Sequence, residues 1–304
     1  MSKKILVVTG GGADGSVTVG RLEALGMPNY EIGVGISTGS LIVPHALLGN
    51  IEKLKKFYLN INQKDITEDS AFKKNGKLNI TKTIKRTLRS LVGGRLSVGS
   101  SVSLRNTIEN AFTCKEYQTL RQLNKVAYVG AYSLNTDDNT YFDTNKSKYK
   151  DFLDWMWASA NPPVVFSLLE KVGYNDCIEQ WCDGGVKSVM PISFALSLAN
   201  EGDEIDVFMH RPRRKKGFRL GVKNIIDYVG RILVSLFRHS EDKDLKLGLA
   251  IGKNKGVKIN IYWMGYEVNE NSLIFDKGEM LKRYSLGKDW ITDKYKDSYD
   301  YRKS

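Results

Sequence analysis

Cysteine, histidine and long apolar runs are scarce in this chain of 304 residues. Its three cysteines, Cys114, Cys177 and Cys182, lack the C-x-x-C spacing of zinc sites, and their odd number suits no closed disulfide framework. The apolar run Ile5–Val8 is too short for a signal peptide, and no run elsewhere approaches the ~18 residues of a membrane-spanning helix. We therefore expect a soluble, cytoplasmic protein.

Acidic residues are also fewer than basic ones. Asp and Glu number 34 against 46 Lys and Arg, which gives a formal net charge of +12 and a pI near 9.4. Such an excess favours a polyanionic partner, either nucleic acid or an anionic membrane surface. The hydrophobic content of 41% is enough for a full core, so a globally disordered chain is excluded.

Much of the positive charge lies in two stretches that contain no acidic residue, 73–95 and 211–219. In the first, aliphatic residues recur at helical spacing from Ile80 to Leu91, a pattern typical of a basic amphipathic helix that lies on membranes. We expect four of its residues to bind the membrane: Lys82, Lys85, Arg86 and Arg89. For both stretches, a solvated face over an ordinary core helix remains the alternative.

Short β-branched segments alternate with helical patterns along the chain. Strands are predicted over 5–9, 31–36, 125–132, 140–142, 205–210 and 257–264, and helices over 15–25, 38–48, 51–60, 150–160, 192–200 and the tail. Such alternation predicts an α/β fold around a mostly parallel sheet. We expect one domain over 1–304, with a basic helical insertion at about 50–124 as a lid and the Gly/Ser-rich segment 91–103 as its hinge.

The segment Gly35-Ile36-Ser37-Thr38-Gly39 has the pattern G-x-S-x-G and lies between a predicted strand and a predicted helix. A sharp turn at this point would lift the Ser37 hydroxyl out of the sheet edge, and flanking glycines permit the strained backbone. The same pattern also occurs by chance in small-residue turns. Ser37 is therefore a candidate nucleophile.

The segment Gly10-Gly11-Gly12-Ala13-Asp14-Gly15 follows the first strand and opens the first helix. Backbone N–H groups of consecutive glycines can surround the oxyanion of a tetrahedral intermediate. The pattern also fits the dinucleotide fingerprint G-x-G-x-x-G, but that fingerprint requires an acidic residue at the end of the second strand, which here ends at Ser37. An oxyanion hole is the better interpretation.

Asp183-Gly184-Gly185 places a carboxylate on a tight turn far downstream of Ser37. By itself this is an ordinary turn, but a serine nucleophile needs a fixed proton acceptor, which Asp183 could supply. A histidine base is the rival hypothesis. His45 lies about 12 Å along the helix from Ser37, too far for a hydrogen bond. Spacing does not exclude His210 or His239 as the base, but each adjoins an arginine and is more simply interpreted as part of a basic surface.

With these three motifs in this order, the chain resembles the patatin-like phospholipases. Residues 158–166, Ala-Ser-Ala-Asn-Pro-Pro-Val-Val-Phe, are similar to the segment that precedes the aspartate in that family, and Pro191 falls where the family has a proline. Residues 126–136 are similar to the strand and turn before that segment. The resemblance extends over about residues 3–290 and implies a three-layer α/β/α fold.

The resemblance also implies the activity, which is hydrolysis of lipid acyl esters by a Ser/Asp dyad without metal or cofactor. Carried over, Ser37 is the nucleophile, Asp183 is the base, and the glycine loop forms the oxyanion hole. The loop glycines are Gly10, Gly11, Gly12 and Gly15, and those of the nucleophile turn are Gly35 and Gly39. Asp14 departs from the family, which usually has Arg or Lys there, so we expect Asp14 either to face solvent or to weaken activity. A non-catalytic membrane- or nucleic-acid-binding module with a vestigial pocket is the alternative.

Overall fold

The computed structural model describes residues 2–66, 102–163, 167–172, 177–213, 225–265, 272 and 275–302. The predicted basic amphipathic helix and most of the predicted hinge fall in 67–101, outside the described residues. The last two hinge residues, Val102 and Ser103, belong to a helix that continues to Ala111.

A nine-stranded sheet forms the centre of the molecule. Its strands are β1 (Lys4–Val8), β2 (Ile32–Ile36), β3 (Val126–Ser133), β4 (Asp138–Asp143), β5 (Leu169–Val172), β6 (Ile178–Asp183), β7 (Glu204–Pro212), β8 (Lys258–Met264) and β9 (Lys296–Asp300). The order is β5-β6-β3-β2-β1-β7-β8-β9, and β4 pairs with β3. The pairs among β1, β2, β3, β7 and β8 are parallel, and β4, β5, β6 and β9 add antiparallel pairs.

Helices cover both faces of the sheet. They are α1 (Gly15–Ala24), α2 (Thr38–Leu47), α3 (Ile51–Asn60), α4 (Gln63–Ile66), α5 (Val102–Ala111), α6 (Cys114–Gln122), α7 (Tyr149–Ser159), α8 (Ile192–Leu198), α9 (Ile225–Lys255) and α10 (Lys277–Asp289). Alternate residues of β1 enter two separate cores, because side chains of a strand alternate between its faces. Leu6 and Val8 pack with α1 to α7 and α10, whereas Ile5 and Val7 pack with α8 and α9. The predicted three-layer α/β/α fold is thereby confirmed.

The described parts of the predicted insertion at 50–124 pack into the main core. Leu54 and Tyr58 of α3 and Leu104 and Ile108 of α5 are buried in the same cluster as Leu6 of β1. The lid stays a prediction.

Two antiparallel additions to the sheet escaped sequence analysis. The β5–β6 pair is short, and the apolar residues Val172 and Ile178 at its outer end are exposed. The sequence therefore lacks the regular alternation of apolar and polar residues that predicts a strand. The tail, predicted to be helical, contains α10 but ends in β9, a charged edge strand. Within the described ranges, no helix has the length and apolar content needed to cross a bilayer.

Candidate active site

The parallel strands β1, β2 and β7 bring the glycine loop, Ser37 and His210 to one edge of the sheet. Ile5–Val8 pair with Ile32–Gly35 on one side and with Ile205–Phe208 on the other. The segments that follow these strands therefore emerge side by side at their carboxyl ends, where open α/β sheets bind ligands. Thr9 follows β1 and Ser37 follows β2, and His210 lies in β7 just beyond the part that pairs with β1.

Ser37 occupies the sharp turn that its motif predicts. Its φ of 56° and ψ of −125° are sterically disfavoured for a residue with a side chain, and the side chain remains partly exposed. The turn requires both flanking glycines, because a Cβ at Gly35 would collide with the backbone of Gly39, and a Cβ at Gly39 with the carbonyl oxygen of Val8. The strain is concentrated at Ser37, as in a nucleophile elbow.

Two further serines hold this turn. The Ser37 N–H donates to Ser159 Oγ at 3.0 Å, and Ser159 Oγ donates to the Gly130 carbonyl of β3 at 2.6 Å. Ser40 Oγ donates to the Ser37 carbonyl at 2.6 Å. Ser159 belongs to the Ala-Ser segment that carried part of the family resemblance, although no pattern predicted its contact with Ser37.

Asp183 reaches Ser37 because two strands meet end to end alongside β3. Gly130 of β3 pairs with Ile36 of β2, and the next residue, Ala131, pairs with Asp183 of β6. Since β4 occupies the opposite side of β3 at both positions, β2 and β6 lie on the same side and point toward each other. The antiparallel direction of β6 therefore brings Asp183 to the residue that follows Ile36.

The Asp183 carboxylate is buried and hydrogen-bonded. It accepts from the Gly185 N–H at 2.8 Å, and the Ser37 side chain lies close enough to lower its pKa. Burial raises the pKa of Asp183 to about 6, although the Ser37 side chain and the Gly185 N–H both act in the opposite direction. A carboxylate whose pKa is close to neutral is a better proton acceptor than an ordinary exposed aspartate. Asn139 of β4 supports the turn by donating to the Gly184 carbonyl at 2.9 Å.

The predicted oxyanion glycines differ in what their amides do. The Gly10 N–H donates to the Val189 carbonyl at 3.1 Å, and the Gly15 N–H donates to the Gly12 carbonyl at the start of α1. Both amides are thus engaged within the backbone, and these glycines shape the loop. Gly11 and Gly12 are partly exposed like Ser37, and Gly10 lies against it, since a Cβ at Gly10 would be 3.2 Å from the Ser37 Cβ.

Asp14 does not face solvent, contrary to one of the two expectations for it. It is 5% exposed, and its Oδ1 lies 3.2 Å from Nη1 of Arg283, a residue of α10 that is fully buried. Burial raises the pKa of Asp14 to about 7, and the Arg283 charge partly offsets that rise. A counter-ion from the far end of the sequence therefore compensates the carboxylate in the glycine loop, and no sequence signal identified this partner.

The three histidines have different surroundings. His45 is buried in α2 with its ring edge on Phe112, 5.6 Å between centroids, and His239 is exposed on α9. The assignment of His210 to a basic surface is wrong, because this residue is 8% exposed and lies beneath the glycine loop. Both of its ring nitrogens are hydrogen-bonded, to Thr9 directly after β1, to Gly10 of the loop and to Thr18 of α1.

The second basic stretch is partly internal. Arg211 is buried and pairs with Glu241 at 2.8 Å and Asp242 at 2.9 Å, so its charge is neutralised within the fold. Arg213 is exposed and pairs with Asp297 at 2.8 Å. Only the remainder, 214–219, is left as a candidate surface, and it lies outside the described residues. Across the described ranges, no cluster of histidine, cysteine and carboxylate residues has the arrangement of a metal site.

Comparisons with known proteins agree with the motifs. The family model described as Patatin-like phospholipase matches residues 6–196, which is more than half of the chain and includes the glycine loop, Ser37 and Asp183. Among solved structures, the crystal structure of VipD from Legionella pneumophila is similar with a TM-score of 0.46 and 13% sequence identity, covering 99% of this chain and 68% of that chain. A comparison with curated proteins gave no match.

Proposed function

Because the chain belongs to the patatin-like phospholipase family, we propose that it is a phospholipase A-type acyl hydrolase with Ser37 as nucleophile and Asp183 as base. The observation that carries the proposal is the strained Ser37 turn, whose side chain lies beside the buried Asp183 carboxylate and lowers its pKa. A nucleophile in contact with a fixed proton acceptor is the arrangement that covalent acyl transfer requires.

The reaction follows from this arrangement. Ser37 Oγ attacks the ester carbonyl while its proton passes to Asp183, and the N–H groups of Gly11 and Gly12 stabilise the resulting oxyanion. Collapse of the intermediate returns the proton to the leaving alcohol and leaves the acyl group on Ser37. Water then attacks this acyl-enzyme, again with Asp183 as base, and a fatty acid is released.

The proposed function is tested by incubating the purified protein with phosphatidylcholine and phosphatidylglycerol vesicles and measuring free fatty acid and lysophospholipid. We expect both products in equal amounts at early times. A folded protein that releases neither from any lipid, nor hydrolyses a fluorogenic short-chain ester, would favour the alternative of a non-catalytic binding module. Salt-sensitive binding to nucleic acid without any preference for vesicles would point the same way.

The proposed base predicts the pH dependence of hydrolysis. Only the ionised carboxylate can accept the Ser37 proton, and burial holds the pKa of Asp183 at about 6. We therefore expect kcat/KM for a soluble ester to rise with pH through about 6 and to level off above about 7. The two buried histidines do not account for such a limb, because burial lowers the pKa of His45 and of His210 to about 4.

Asp14 also titrates in this range, so its substitution is the control for the pH profile. The limb near pH 6 should persist in Asp14→Asn. An acid limb that disappeared in this variant would assign the titration to Asp14 and contradict the role of Asp183.

We also propose that the enzyme works at an anionic membrane surface, with the stretch 73–95 as the contact. Because this stretch lies outside the described residues, the support for it is the sequence pattern alone. Each Lys or Arg near an anionic leaflet contributes about 1 kcal/mol to binding. Reversing Lys82, Lys85, Arg86 and Arg89 to glutamate should reduce hydrolysis of phosphatidylglycerol vesicles and weaken vesicle binding while leaving turnover of a soluble short-chain ester unchanged.

A matched control for the membrane contact is the reversal of four basic residues elsewhere on the surface. Lys115, Lys148, Lys150 and Lys243 are exposed or partly exposed, and their reversal produces the same change in net charge. If both fourfold variants lost vesicle activity equally, the effect would be one of overall charge and the assigned contact would be wrong.

A further inference from the structure

The glycine loop rests on His210, a buried residue for which the proposed mechanism has no role. His210 follows the paired part of β7, and its main-chain N–H donates to Thr9 Oγ1 at 3.1 Å, which draws the ring under the loop. The contact with Gly11 is so close that a Cβ there would lie 2.6 Å from the His210 Cβ and 2.7 Å from Nδ1. The loop and the ring therefore hold each other in place.

The partners of the ring determine its tautomer. His210 Nδ1 lies 3.0 Å from the Thr9 carbonyl oxygen and 3.2 Å from the Gly10 carbonyl oxygen. Carbonyls only accept, so the proton is on Nδ1, which donates to them. Nε2, 2.8 Å from Thr18 Oγ1, then accepts from the Thr18 hydroxyl. Burial lowers the pKa of His210 to about 4, so the ring is neutral at pH 7.

The Gly10 carbonyl belongs to the same peptide unit as the Gly11 N–H. In a trans peptide these two groups point in opposite directions within one plane. A donor that holds the carbonyl oxygen toward the buried ring therefore directs the Gly11 N–H away from the ring, out of the core. Hydrogen bonding to the carbonyl also polarises the peptide and strengthens its N–H as a donor.

We infer that His210 is a positioning residue of the oxyanion hole, which acts on the reacting oxygen through the Gly10–Gly11 peptide without touching substrate. The inference rests on the proposed function. The contribution of His210 appears only as negative charge develops on the substrate oxygen. Loss of His210 should therefore lower kcat and leave ground-state binding unchanged. Removing a whole oxyanion donor costs about 10²–10³ in kcat, so misdirecting one should cost about 10- to 100-fold.

Two amide substitutions separate the roles of the two ring nitrogens. The side-chain amide of asparagine reaches the position of Nδ1, and that of glutamine reaches the position of Nε2. His210→Asn therefore retains a donor to the Gly10 carbonyl, whereas His210→Gln retains only a partner for Thr18. For His210→Gln we expect a kcat about 10- to 100-fold lower with KM within about twofold of wild type, and for His210→Asn a kcat within about fivefold.

The same variants are then assayed with an alkyl trifluoromethyl ketone, whose adduct with a serine carries an oxyanion. Its inhibition constant should rise in His210→Gln by the same factor as kcat falls, because both report the stabilisation of a tetrahedral oxyanion. Equal losses in the two variants, a change confined to KM, or loss of the cooperative thermal transition in His210→Gln alone would overturn the inference and leave His210 a packing residue.

If the proposed Ser37 mechanism is wrong, the variants give a different result from the one that refutes the role of His210. In that case the wild-type hydrolysis would be insensitive to Ser37→Ala. Hydrolysis that is lost in Ser37→Ala but unchanged in His210→Gln would refute the role of His210 alone.

Discussion

Ser37→Ala and Asp183→Asn should each reduce acyl ester hydrolysis by about 10⁴-fold or more while leaving the fold intact. Alanine removes the atom that bonds to the acyl group. Asparagine keeps the shape of Asp183 and its capacity to accept from Gly185, but it cannot take up the Ser37 proton. The two losses should not add in the double variant, because residues that act as one catalytic unit are strongly non-additive.

Asp203→Asn is the matched control for Asp183→Asn. Asp203 is also buried, and its carboxylate likewise accepts from backbone amides, those of Lys3 and Asn200 at 2.7 and 2.8 Å. It lies at the amino end of β7, opposite the site, so its substitution should affect stability and not turnover. Circular dichroism and thermal unfolding verify the fold of each variant. Substantial residual turnover in Ser37→Ala, with the fold preserved, would defeat the assignment of the nucleophile.

The features that could be predicted from the sequence are those encoded by neighbouring residues. The turn at Ser37 needs a strand, two glycines and a helix, which all lie within Ile32–Leu47 and are visible as a local pattern. The same holds for the glycine loop after β1 and for most strands, whose predicted bounds differ from the observed ones by one or two residues. The alternation of strands and helices also predicted a mostly parallel sheet, and β1, β2 and β3 are parallel.

The features that could not be predicted depend on pairing between distant segments. His210 meets Thr9 only because β7 pairs with β1, about 200 residues apart in sequence. An adjacent arginine made His210 resemble a surface residue, and periodicity cannot show that Arg211 is itself neutralised by Glu241. The antiparallel entry of β6, which places Asp183 beside Ser37, was also invisible, since a short hairpin with an exposed end has no clear alternation.

Arg283, the partner of Asp14, also could not be predicted from local sequence patterns. It belongs to α10, which lies beyond the matched family segment 6–196. This helix packs closely on α1: a Cβ at Gly20 would collide with the Tyr284 carbonyl, and a Cβ at Gly287 with that of Val17. The close approach of the two backbones carries the Arg283 guanidinium into the base of the glycine loop, where it meets Asp14. The helix thus fixes the loop from outside the family segment.

Asp14 and Arg283 should respond differently to substitution. Asp14→Asn removes the carboxylate that faces the buried Arg283 guanidinium, and we expect it to destabilise the fold by about 3–5 kcal/mol. Arg283→Met leaves a carboxyl group that can become neutral by taking up a proton, so its cost should be smaller at acidic pH. Lys288→Met is the control on the same helix, since Lys288 is exposed and its pair with the partly exposed Glu23 should contribute little to stability.

A double-mutant cycle of Asp14→Asn and Arg283→Met, followed by urea unfolding at pH 8 and at pH 5.5, measures the interaction directly. Because burial holds the pKa of Asp14 at about 7, its carboxylate is mostly ionised at pH 8 and mostly protonated at pH 5.5. The coupling free energy should therefore be about 2 kcal/mol or more at pH 8 and should decrease as the pH falls through 7. The destabilisation by Arg283→Met should grow over the same interval as the pH rises, since the raised pKa makes ionisation of Asp14 costly to the folded state and Arg283 offsets that cost. A coupling that is equal at both pH values would show that the two residues contribute through packing and that their charges do not hold α10 to the loop.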